Sequence, residues 1–350
     1  MYHQKYLKYI SKYLALAGIT EWLHGGTSMQ KINELQINAN IVKKKYAIVT
    51  LLMMGDSYLP GALVMAYSIL RFGIPENIDL VCMITNDISD VAKHDLEQYF
   101  DRVILVDYIQ VSPKDIHLKN EIQKNVYSKT FTKLHAFELV EYEKIVLIDL
   151  DMIILQKKFF DIFNYEAPAA VITACIFFNE DCEMYKKYFI EKFNVRIKEG
   201  EKIPHQVFEN FVQSIITNRN YKDVETSICL LKPSIDDYNY MVKKLNDNIG
   251  KYRGDTDLLA EYYKYQWYAI DPSFLGRWGN QEKIDQRIVL DLYGFKGKPW
   301  ELDKYEKIKD YYDVKYWYNM FMDFYRETFK EKCKHTSIHL LYTFLDNKHI

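Results

Sequence analysis

Two aspartates with one residue between them, Asp149 and Asp151, carry the clearest chemistry in the sequence. They follow an aliphatic run, Ile145 to Ile148, that reads as a strand buried on both faces. Extended backbone turns residues i and i+2 to the same side, so both carboxylates are expected to face one cleft from the strand's C-terminal end. That edge is where open α/β sheets bind ligands. Adjacent carboxylates repel unless a cation relieves them, and a hard divalent ion, Mn²⁺ or Mg²⁺, suits oxygen ligands. The competing reading is a solvated acidic turn, because the D-x-D pattern is short. Two lysines are the other candidates. Lys133 opens an expected helix, where a cation opposes the helix dipole and needs a separate reason to be there. Lys298 precedes Pro299 and Trp300. A lysine beside a metal ion can stabilise negative charge that develops in a reaction. Gly294 allows backbone to approach a ligand closely.

Strands and helices alternate ahead of these residues. Tyr46 to Leu52 reads as the first strand, Met53 to Asp56 as a loop, and Leu59 to about Arg71 as a helix with Pro60 in its first turn. Ile78 to Thr85 is a second strand, Asp90 to Tyr99 a helix, and Arg102 to Asp107 a third strand. After a polar stretch (111–129), Phe131 to Glu141 is expected to be helical and to feed the Asp149 strand. Further strands are expected at Ala169 to Ala174, Val224 to Leu231 and Arg287 to Leu290. Further helices are expected at Cys182 to Arg196, Ile235 to Leu245 and Asp255 to Tyr263, with 197–222 as an insertion or lid. Such alternation predicts an α/β protein with a mostly parallel central sheet. Residues 1–45 read as a helical N-terminal extension, 46–300 as a single large domain, and 301–350 as a helical C-terminal tail.

A chain of 350 residues with a formal charge of −2 has ample apolar content for a core, and its balance argues against a general nucleic-acid binder. Five cysteines, without a C-x-x-C pair, read as reduced core residues, and no zinc site is suggested. The apolar stretch Tyr13 to Ile19 is too short to span a membrane, so no anchor is expected and the expected location is cytoplasmic. The 30 tyrosines suit sugar stacking or an interface, and compositional bias explains them as simply.

Four blocks, in order and spacing, carry a resemblance. They are residues 49–64 (Val-Thr-Leu-Leu-Met-Met-Gly-Asp-Ser-Tyr-Leu-Pro-Gly-Ala-Leu-Val), residues 132–155 around Asp149 and Asp151, Leu231 to Ser234 with Gly254 to Leu259, and Tyr293 to Trp300. From Tyr46 to Trp300 the chain resembles the retaining, glycogenin-like glycosyltransferases of family eight. The resemblance implies the GT-A fold, a Rossmann-like sheet that binds a nucleotide sugar and a divalent ion, usually Mn²⁺. It implies that Leu52, Met53, Met54 and Gly55 line the base and ribose and that Tyr58 stacks on uracil. It implies that Lys133 meets the donor sugar or phosphate and that Asp149, Leu150 and Asp151 hold metal and nucleotide. Gly294 and Lys298 then meet the diphosphate. Asp255 matches an aspartate near the anomeric carbon, where it could orient hydroxyls or stabilise oxocarbenium-like charge; a helix N-cap would also explain it.

Three departures stand out. Asp291 occupies the position of the family's third metal ligand, a histidine, and aspartate can serve a hard cation there. Glu225-Thr226-Ser227 replaces the family's Asn-x-Gly, and Asp255-Thr256-Asp257 replaces Asp-Gln-Gly. Both changes fall on the sugar pocket. The expected function is metal-dependent retaining transfer of a hexose from a UDP-sugar to an acceptor hydroxyl on a carbohydrate or glycoprotein. The alternative is a degenerate GT-A domain that binds nucleotide sugar or a partner without transfer. A nucleotidyltransferase is disfavoured by the lack of a Gly-rich, basic phosphate loop after the first strand. Self-glycosylation is a narrower variant, and a homodimer is expected from the resemblance and the aromatic tail.

Overall fold

The computed structural model describes residues 45–172, 224–248, 250–277, 284, 286–292, 297–329, 332 and 334–348. The expected N-terminal helix, the helix at 182–196, the lid at 197–222 and Gly294 lie outside the described residues. Among the described helices, none is long and apolar enough to cross a membrane.

Ten strands are described. They are β1 (Tyr46–Leu52), β2 (Ile78–Ile84), β3 (Arg102–Leu105), β4 (Lys144–Ile148), β5 (Met152–Ile154), β6 (Ala169–Ile172), β7 (Val224–Leu231), β8 (Tyr268–Ala269), β9 (Gly276–Arg277) and β10 (Val289–Asp291). The main sheet runs β3-β2-β1-β4-β7-β6-β8. Its first four strands are parallel, and β7 is antiparallel to both β4 and β6. A small sheet, β5-β10-β9, stands beside it. This is the mostly parallel α/β arrangement expected from the alternation of strands and helices.

The central strands are buried on both faces, and the strand period of two divides their side chains between two cores. Ile48, Leu52, Val146 and Ile148 face one core with the helix α1 (Leu59–Leu70). Ala47, Val49, Leu51, Ile145 and Leu147 face the other. The short helices α2 (Asp90–Leu96) and α3 (Glu121–Tyr127) follow β2 and β3. On the second face lie a 3-10 segment, Thr130–Glu138, and the helices α4 (Ile235–Asp247) and α5 (Asp255–Tyr262). Beyond residue 301 come α6 (Tyr305–Ile308), α7 (Tyr312–Phe324) and α8 (Thr336–Asp346), whose Trp317, Phe321 and Leu341 join the first core.

Three local expectations are corrected. Asp149 and Asp151 do not lie on extended backbone; β4 ends at Ile148, and a turn joins it to β5. Their common side is therefore set by the turn and not by the strand pleat. The stretch expected to be helical at Phe131 to Glu141 is a 3-10 segment. The polar stretch before it contains α3, whose Asn120 side chain caps it by accepting from the backbone N–H of Ile122 and Gln123.

Candidate active site

The site is built at the C-terminal edge of β4. The Asp149 N–H donates to the Ser227 carbonyl at 2.9 Å, which docks the turn on β7. The Leu292 N–H donates to the Asp151 carbonyl at 2.9 Å, which docks it on the residue after β10. Leu150, between them, points its apolar side chain into the core. Its carbonyl lies against α1, where a Cβ on Gly61 would come within 2.9 Å of that oxygen and 2.6 Å of the Trp300 ring. Glycine is thus required for α1 to approach the turn this closely.

Two lysines meet the aspartates. Lys133 Nζ donates to Asp149 Oδ1 at 2.7 Å and to Asp255 Oδ2 at 3.0 Å, bridging the turn to the start of α5. This is the separate reason for a cation at that place. Burial opposes the Lys133 charge, but the two carboxylates outweigh it and hold its pKa above the ordinary lysine value. Lys298 Nζ donates to Asp151 Oδ2 and, at 3.2 Å, to the Leu292 carbonyl. Its pKa is also raised, against burial, chiefly by Asp151 and less by Tyr58 and Asp291. Burial pushes the Asp149 carboxyl up to about 7, with Asp151 and Asp255 adding to the rise and Lys133 opposing it.

Asp255 is not an N-cap. Gly254 holds that position, and Asp255 is the first helical residue with its side chain on Lys133. The Asp255 N–H donates to Thr130 Oγ1 at 3.1 Å. The Thr226 and Thr256 hydroxyls meet at 2.7 Å, joining the two segments that depart from the family pattern. Glu225 curls back, its Oε1 accepting from the Ser227 N–H at 3.3 Å. Tyr58 is half-buried and edge-on to Trp300, 5.2 Å between ring centroids, with Lys298 and Asp151 close enough to act on its hydroxyl. Trp300 is buried in the core, which anchors the segment carrying Lys298. Leu52 is wholly buried and its carbonyl accepts from the Thr85 N–H, so the loop proper begins at Met53.

The turn, Lys133, Asp255, Lys298 and Tyr58 therefore converge. Asp291 is 1% exposed on β10, beside the turn and within electrostatic reach of Lys298. Among the described residues, no three acidic, histidine or cysteine side chains form a ready metal cage. The donor chemistry nevertheless fits a hard divalent cation. Four carboxylates (Asp149, Asp151, Asp255 and Asp291) face two ammonium groups, an excess of two negative charges when all are ionised. Sequence reasoning missed Asp87 and Tyr108, which hold the loop after β1, and Thr130. The first two follow the C-terminal ends of β2 and β3, so the rule that ligands gather at that edge would have found them.

The model of glycosyl transferase family 8 matches residues 49–303. The R707 protein of Acanthamoeba polyphaga mimivirus is 27% identical over 297 residues, covering 80% of this chain and 93% of its own length. Human glycogenin-1 is 35% identical over 115 residues, 33% of this chain and 31% of that protein. The chain thus aligns with only about a third of that glycogenin. Among solved structures, the galactosyltransferase LgtC, determined with donor and acceptor sugar analogues, is 15% identical with a TM-score of 0.47, covering 78% of this chain and 95% of that one.

Proposed function

The chain belongs to glycosyl transferase family 8, and we propose that it moves a hexose from a UDP-linked donor to an acceptor hydroxyl, with retained anomeric configuration and a divalent cation bound. The observation that carries the reading is the convergence of Lys133, Asp149, Asp151, Asp255 and Lys298 at one sheet edge, with excess negative charge. Asp149 and Asp151 would hold the ion, with Asp291 as third ligand. A bound Mn²⁺ or Mg²⁺ supplies Lewis-acid neutralisation of the diphosphate. Lys298, on the segment anchored by Trp300, places an ammonium where the leaving β-phosphate gains charge. Lys133 and Asp255 form a rigid pair that orients the donor sugar. Asp149 and Asp255 are bound by Lys133, and Asp151 by Lys298, so none of the three stands as a bare nucleophile. That suits attack by the acceptor hydroxyl from the leaving-group face. The acceptor hydroxyl is assigned to a carbohydrate or glycoprotein.

The Thr226–Thr256 contact favours a second reading. It fills the space between the two altered segments with a hydroxyl pair, so a domain that binds the nucleotide without transferring its sugar also accounts for the site. The test is UDP release from a panel of UDP-sugars with candidate acceptors, in Mn²⁺ and in EDTA. Transfer predicts metal-dependent release with a particular donor, abolished by Asp151→Asn. Tight UDP binding with no release from any donor supports the binding module. Pyrophosphate as product would contradict both.

A further inference from the structure

The loop between β1 and α1 adopts a backbone that its own sequence does not favour. Met54 has φ 65° and Gly55 φ 76°, two left-handed residues in succession, and the first is not a glycine. Such strain persists only where the surroundings over-determine it, and it gathers at ligand clamps. The surroundings here are two side chains from the neighbouring strand ends. The Met54 N–H donates to the Tyr108 hydroxyl oxygen at 2.9 Å. Tyr108 in turn donates its proton to Asp87 Oδ2 at 2.8 Å. The Thr85 hydroxyl donates to Asp87 Oδ1, and the nearby Gly55 backbone helps hold the Asp87 charge.

We propose that Asp87 and Tyr108 are positioning residues for the donor nucleotide, a strut that holds Met54 and Gly55 in the shape that receives the base and ribose. The inference rests on the reading that this loop binds the donor. A tyrosine hydroxyl has one proton to give. By taking it, Asp87 leaves a lone pair of the Tyr108 oxygen turned toward the Met54 N–H. Burial works against the Asp87 charge, yet the hydrogen bonds from Thr85 and Tyr108 hold its carboxyl below the usual range, so it remains an acceptor at neutral pH.

The strut spans the C-terminal ends of β1, β2 and β3, three adjacent parallel strands. Asp87 is exposed and Tyr108 half-buried, so the network lies at the surface, where hydrogen bonds add little to folding stability. The far end of the loop is tied separately. Asp56 accepts from the Ser89 N–H at 3.0 Å and contacts His335 Nε2 at 3.1 Å. Loss of Asp87 or Tyr108 therefore frees only the Met54–Gly55 half.

The test is calorimetric titration of UDP in Mn²⁺ into wild type, Asp87→Asn, Tyr108→Phe and the double variant, with steady-state kinetics on the turned-over donor. Each single variant is expected to weaken UDP binding about tenfold, and the double variant no more than either, because the two act through one linkage. Donor KM rises in parallel, kcat at saturating donor falls less than about threefold, and the unliganded melting temperature holds within about 2 °C. Variants that bind UDP like wild type overturn the strut. So does a fall in kcat without a rise in KM, or a loss of affinity that tracks a fall in melting temperature. A wild-type chain that binds no uridine nucleotide overturns the donor reading itself, and the strut with it.

Discussion

Replacing Lys133 with methionine keeps a side chain of similar length and removes the ammonium that bonds both Asp149 and Asp255. The side chains of Asp255 and Asp149 are 5% and 29% exposed, so water compensates the second in part and the first hardly at all. Removing one partner of a buried ion pair costs about 3–5 kcal/mol. Asp149, already pushed up to about 7, can take a proton and relieve some of the repulsion, which places the loss near the lower end, about 3 kcal/mol. A chain of this size unfolds with an entropy of roughly 0.7 kcal/mol/K, so the melting temperature should fall by about 4 °C. The effect should depend on pH with a definite sign. In the variant the folded-state pKa of Asp149 rises further above its ordinary value of 3.8. Between those two values the folded chain binds more protons than the unfolded chain, so stability falls as pH rises through the window. Calorimetry at pH 5.5 and 8.0 is the assay. The deficit should be greatest at pH 8.0, shrink at pH 5.5, and be at least half restored by adding Asp255→Asn. A change under about 1 °C at pH 8.0, or a larger deficit at pH 5.5, would refute the reasoning.

Other outcomes follow from the same geometry. Lys298→Ala should lower kcat by about 10²–10³ with donor KM changing far less, since its ammonium acts on charge that develops in the transition state; equal losses in binding and turnover would contradict that. Gly61→Ala forces a methyl against Trp300 and the Leu150 carbonyl, so it should destabilise by about 1–3 kcal/mol and weaken metal-dependent UDP binding by moving the turn; a chemical melt and a UDP titration check both. Divalent-ion affinity should fall below about pH 7, approaching tenfold per unit, because Asp149 must lose its proton to bind; Mn²⁺ titrations at pH 6, 7 and 8 with equal affinities would contradict it.

Strong local patterns were readable where the chain is buried on both faces. The β1 bounds, Tyr46–Leu52, and the start of α1 at Leu59 coincide with the expectation, since an aliphatic run and a proline in the first turn act locally. The α3 helix is seven residues long and buries none of them, so no core-facing pattern marks it strongly; Asn120 before Glu121 was the available signal. The two-residue strands β8 and β9, and the pairing of β5 with β10, depend on contacts distant in sequence. At the site, residue types were legible and their partners were not. Lys133 was marked by its conflict with a helix dipole, but its bond to Asp255 crosses 122 positions. The Thr226–Thr256 contact and the Asp87–Tyr108 link are likewise products of topology.

The most direct measurement is calorimetric titration of UDP into the wild-type chain and Asp151→Asn, each with Mn²⁺ and with EDTA. Wild type is expected to bind UDP in Mn²⁺ and at least tenfold more weakly in EDTA, with a metal effect that disappears in Asp151→Asn. UDP binding that is indifferent to metal, or a metal effect that survives Asp151→Asn, would contradict the assignment of the Asp149–Asp151 turn as the cation and diphosphate site.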